Sequence, residues 1–215
     1  MGILTKKDLK LITDPLADNN PITVQVLGIC SALAVTAQLK ASIVMAISVM
    51  FVLAAGNVVI SSMRNIIPPK IRIIVQLVIA ATLVIIVDQV LKAYSYNLSK
   101  QLSVFVGLII TNCIIMGRFE AFALANTPWK SFLDGIGNAA GYGIILVIVA
   151  FFRELLGSGS VLGFKVLGNP IEKTGVYAYG YENNGFMLLA PMALITLGVI
   201  IWVQRSRNSS LIEEN

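Results

Sequence analysis

The sequence predicts an all-α membrane protein of six transmembrane helices, set as three plus three with the second half inverted, the first and fourth helices short or broken. Composition is the first observation behind this: 57% of the residues are hydrophobic and 13% charged, against roughly 45–50% and about 25% in soluble domains. The second is distribution. The apolar residues come in blocks rather than stripes, and a helix needs roughly 20 of them to cross a hydrocarbon core of about 30 Å. The third is parity, because three spans per half force the second half to run opposite to the first, a common transporter plan.

The elements follow in order. Residues Met1 to Asn20 carry Lys6, Lys7 and Lys10 but no apolar run before the turn residues Asp18-Asn19-Asn20-Pro21, so no cleavable signal peptide is expected. The spans are Ile22–Leu39, Ala41–Met63, Ile73–Leu91, Leu102–Gly117 with a continuation towards Ala125, Ile136–Leu156 and Phe186–Val203. The first and fourth are polar-spotted: Gly28 precedes Cys30, while Gly107, Thr111, Asn112 and Gly117 surround Cys113. Short connections lie at Gln38-Leu39-Lys40 and from Asn65 to Arg72, the second holding the break Pro68-Pro69. The long connection from Gly157 to Gly185 is rich in Gly, Asn and Tyr and is expected to fold over the membrane surface. The whole chain, 1–215, reads as a single transmembrane domain.

Lys and Arg divide 10 to 6 in favour of the side that holds both termini, and every arginine but Arg153 lies on that side. The positive-inside rule therefore places both termini in the cytoplasm. Each half opens with a short helix bearing one cysteine. The residues around the two cysteines match poorly, so the repeat rests on layout, with six unrelated helices as the alternative. The net charge of +5 is scattered at helix ends without an interleaved aromatic stripe, which excludes a nucleic-acid partner.

Histidine is absent, removing the commonest general base and metal ligand. Cys30 and Cys113 can be read as small apolar filler, since a disulfide needs Cα atoms within about 7 Å and a catalytic thiol needs a nearby base. They can also be read as ligands. Two thiolates cannot complete a zinc site or a [2Fe–2S] cluster, so a partner chain would have to give the other two. Acidic residues in membrane helices are costly and often functional, which makes Asp88 and Glu154 candidate ion-pathway residues. Both lie close to a loop, so snorkelling, or a surface role for Arg153–Glu154, is the competing reading. Glu120, beside Arg118, reads as an interface charge.

Several long runs carry a resemblance: Asn19-Asn20-Pro21 with Gln25 through Thr36, Val87-Asp88-Gln89, Lys100 through Cys113 and on to Met116-Gly117-Arg118, Asp134 through Asn138, Phe151 through Gly159, and Gly185 through Pro191. Together they resemble the D-subunit family of the sodium-translocating NADH:quinone oxidoreductase, over nearly the whole chain, thinning at both termini and in Phe164–Tyr181. The resemblance implies a multi-pass component of a bacterial inner-membrane translocase, inactive alone and paired with a paralogous six-helix E subunit of opposite topology. It implies a [2Fe–2S] cluster between the two, with Cys30 and Cys113 as this chain's ligands, and NADH, flavins and quinone on other subunits. Gly28, Thr111, Asn112 and Gly117 are then expected around the sulfurs. Electron passage coupled to Na⁺ export follows from the same resemblance. The homologous subunit of the RNF complex, and a cofactor-free ion-conducting or scaffold subunit, are the other readings.

Overall fold

The structure, a computed structural model, describes residues 6–16, 19–94, 107–162, 164–165 and 185–207. The start of the fourth expected span, residues 102–106, and most of the long connection, 163 and 166–184, lie outside the described residues.

Two helices form the core. α3 (Leu39–Met63) and α6 (Pro128–Ser158) pack along their lengths. Small residues let them approach: a Cβ on Gly135 would stand 2.9 Å from Ala54 Cα, and one on Gly143 3.0 Å from Ala46 Cβ. As the α6 positions rise the α3 positions fall, so the helices run antiparallel. Without a solvent-driven hydrophobic force inside lipid, such close backbone contact is what holds helices together. α4 (Arg72–Tyr94) lies outside this pair against α3. Of its apolar window 17% is buried, against 50% and 56% for α3 and α6. Among the described residues these three helices are long and apolar enough to cross a membrane.

The remaining elements are shorter. α1 (Lys6–Thr13) and the 3-10 turn Asp14–Leu16 lie against α6. Asn20 then fixes the chain: its side chain donates to Gly141 O (3.1 Å) and accepts from Ile22 N (3.0 Å) and Thr23 N (3.3 Å). The first expected span is not one helix. Val26 (φ 58°) and Gly28 (φ 81°) both adopt left-handed backbone, which breaks the helical path, and only α2 (Ile29–Val35) follows.

The fourth expected span is interrupted as well. Residues 107–110 are helical, Thr111 and Asn112 leave the helix, and α5 (Cys113–Arg118) resumes into a π-turn, Phe119–Ala123. Phe119 is fully buried, its ring filling the space over Gly56 of α3. After α6 the structure departs from an all-helical reading with a small antiparallel ribbon, Ser160–Val161 with Phe164–Lys165. A 3-10 turn, Gly185–Leu188, leads into α7 (Ala190–Arg207), which packs on α2.

Candidate functional site

Cys30 is the second residue of α2 and Cys113 the first of α5. Both are free thiols, and both are exposed in the chain alone. Each stands next to a buried polar residue, Ser31 and Asn112 respectively. These neighbours meet: Asn112 Nδ2 donates to Ser31 Oγ at 3.2 Å. Two segments 81 residues apart are thereby joined one residue away from each cysteine.

Local sequence explains the meeting. Asn112 is the N-cap of α5, its Oδ1 accepting from Ile114 N at 3.3 Å, a role for which asparagine is favoured. Gly28 is the N-cap of α2, and a Cβ there would stand 3.0 Å from the Tyr142 ring and 3.4 Å from Asn112 Oδ1. Gly117, one turn beyond Cys113, packs against Leu27, to which a Cβ would stand 3.2 Å away. Thr111 is exposed at the break between the helical turns. Tyr142 of α6, fully buried with its Oη 2.7 Å from Ser31 Oγ, is a member of this site that sequence reading passed over.

Among the described residues no group of three or more His, Cys, Asp or Glu side chains converges. The thiol donors among the described residues are those of Cys30 and Cys113, both exposed. Two thiols are half of the four thiolates that a [2Fe–2S] cluster takes.

The acidic residues sit elsewhere. Asp88 pairs with Lys92 one turn on in α4. Glu154 is 8% exposed and accepts a hydrogen bond from Leu39 N, capping α3. It borders a cavity of about 440 Å³ with Gln38, Lys40, Ser158 and Ser160. Arg153 is 1% exposed, so a surface role for Arg153–Glu154 is corrected. Its guanidinium donates to Thr36 Oγ1, Met187 O (3.1 Å), Leu188 O (2.8 Å) and Leu189 O (3.2 Å). Leu189 O also accepts from Met192 N at 3.2 Å, and the guanidinium, with five donors, serves all three carbonyls at once.

Glu120 pairs with Arg72 at 3.1 Å and accepts from Gln76 at 2.8 Å. Arg118 turns instead to Asp134 of α6, with Nε 3.0 Å from Oδ2 and a second contact through Nη2. Asn138 Nδ2 donates to the same carboxylate at 3.0 Å. This buried fork was unassigned in the sequence, though an aspartate followed four residues later by asparagine in an apolar helix was its available signal.

The family described as "Rnf-Nqr subunit, membrane protein" matches residues 9–201. Proteins named as the D subunit of a Na(+)-translocating NADH-quinone reductase, from Psychromonas ingrahamii and Photobacterium profundum, are 55% and 57% identical to the chain. Each alignment covers 94% of this chain, and 94% and 93% of those proteins respectively. The protein of the same name from Pasteurella multocida is 56% identical over 98% of this chain and 99% of its own. The chain thus belongs to the Rnf-Nqr family of membrane-protein subunits.

Proposed function

We propose that this chain is the D subunit of a Na⁺-translocating NADH–quinone reductase, working with other subunits and inactive alone. In this reading it gives Cys30 and Cys113 to a [2Fe–2S] cluster whose other two ligands come from a paralogous E subunit. NADH, flavins and quinone are held elsewhere in the complex. The chain lies in a bacterial inner membrane as a single domain, its six spans forming a three-plus-three inverted repeat with both termini in the cytoplasm. Asp88 and Glu154 are placed towards the ends of their helices, where carboxylates could receive Na⁺ on its way.

The observation that carries the reading is the Ser31–Asn112 hydrogen bond, which joins the two cysteine turns while both thiols face outward. Relatives named as D subunits, more than half identical over nearly their full length, favour the quinone-reducing complex over its RNF counterpart.

A [2Fe–2S] cluster supplies one-electron transfer, at a potential set by charge, burial and hydrogen bonds to sulfur. The rest is work for this chain's residues. Cys30 and Cys113 present thiolates to the partner. Ser31 and Asn112 hold the two turns together, and Gly28 and Gly117 permit close packing behind them. The α3–α6 core gives the turns a rigid backing in apolar surroundings.

The test is iron content and low-temperature EPR of the purified complex with Cys113→Ala. Loss of one [2Fe–2S] signal while every subunit still co-purifies is expected. An unchanged signal would return both cysteines to packing and overturn the proposal.

A further inference from the structure

Three groups meet at Ser31 Oγ. The hydroxyl donates to Gly28 O at 2.9 Å, receives Asn112 Nδ2 at 3.2 Å and lies 2.7 Å from Tyr142 Oη. A serine hydroxyl has one proton and two lone pairs, and an amide NH₂ only donates. With the proton directed to Gly28 O, both lone pairs accept, so Tyr142 is the donor of its bond. The junction is complete: every hydrogen-bonding position of Ser31 Oγ is filled by a different segment.

Its placement gives it a consequence. Ser31 and Gly28 flank Cys30, Asn112 adjoins Cys113, and Tyr142 stands on α6, the more buried of the two core helices. In both cysteine turns a buried polar residue is the anchor and the adjacent thiol is left exposed. The Tyr142 ring also fills the space behind Gly28, which a Cβ would enter at 3.0 Å. Three turns along the same helix, Arg153 holds Thr36 just past the other end of α2. α6 therefore grips the cysteine helix before and after Cys30.

We propose that Tyr142 is a positioning residue which, through its hydroxyl on Ser31, fixes the separation and orientation of Cys30 and Cys113. This rests on the cluster reading above. The two thiolates would contribute half of the cluster's four ligands, so a change in their spacing would change how the sulfurs are buried and which N–H groups reach them. Burial of the sulfurs and the hydrogen bonds they receive set the reduction potential, and a changed surrounding of the sulfurs would also show in the g-values. Tyr142 acts on the sulfurs through Ser31 and Asn112.

The experiment uses the intact complex with Tyr142→Phe, which keeps the ring and removes only the hydroxyl. Cluster g-values and midpoint potential are measured beside the native complex and Cys113→Ala. The expected result is a full-intensity [2Fe–2S] signal with shifted g-values and a shifted potential. Ser31→Ala should shift them too, and the double variant should add little to either single change, because all three break one junction. If Tyr142→Phe does not assemble, Ser31→Ala decides alone. Native g-values and potential in these variants, with the signal still lost in Cys113→Ala, would overturn the positioning role and leave the cluster reading standing. A signal retained in Cys113→Ala would overturn both.

Discussion

Gly28 combines two constraints that act in the same direction. Its φ of 81° is left-handed, and a side chain there would press on Tyr142 and Asn112. Left-handed backbone alone costs an L-residue about 1–2 kcal/mol, so Gly28→Ala is expected to destabilise by about 2 kcal/mol or more. A lower melting temperature of the purified complex would register it. Asp134→Ala should be more severe, because Arg118 would remain largely buried without its partner, a change that typically costs about 3–5 kcal/mol. Asp134→Asn keeps an acceptor for the guanidinium and should fall between Ala and native in the same melting experiment. These residues differ in how readable they were. Gly28 declared itself in the sequence as a glycine just before a cysteine in a short apolar run. Tyr142 did not, since a lone tyrosine in a membrane helix reads as packing, and its partner Ser31 is 111 positions away. Val26 was hidden for another reason: a β-branched residue is the last one expected at positive φ.

The apolar runs behind α3, α4 and α6 were readable because a bilayer demands long uninterrupted blocks, and the break at Pro68-Pro69 falls where the turn before α4 lies. The interruptions within the first and fourth runs were readable only as irregularity. What decides their course is tertiary: Asn20 bound to Gly141 O, and Phe119 seated over Gly56. Arg153 shows the same limit, since a charge near a helix end looks solvent-bound until the carbonyls of residues 187–189 are placed around it. A hydrogen bond from a charged donor contributes about 1.5–3 kcal/mol, and Arg153 supplies one to Met187 O and one to Leu188 O. Arg153→Ala should therefore loosen the lead-in to α7 and the turn after α2. Faster amide hydrogen exchange at residues 186–192, with α3 unchanged, is the expected readout.

For the whole chain, the exposed thiols and the sparsely covered α4 both describe a surface made to be covered. Ile73, Ile74, Val78, Ile85, Ile86 and Val90 all lie open along α4, a face suited to lipid or to neighbouring helices. N-ethylmaleimide should modify Cys30 and Cys113 in the chain purified alone in detergent and spare both in the assembled complex, as intact mass would report. The charges of α6 lead to something further. Between Asp134 and Glu154 the helix rises about 30 Å, and the stretch before Arg153 holds no charged residue. That interval equals the thickness of an ordinary hydrocarbon core, and both ends are tied down, at one by Arg118 and at the other by the α3 N-terminus and the residues around Arg153. α6 is in effect a ruler that cannot tilt freely, so the protein should have a preferred acyl-chain length. Vesicles of progressively longer lipids should lower turnover once their cores outgrow the interval between the two charged ends.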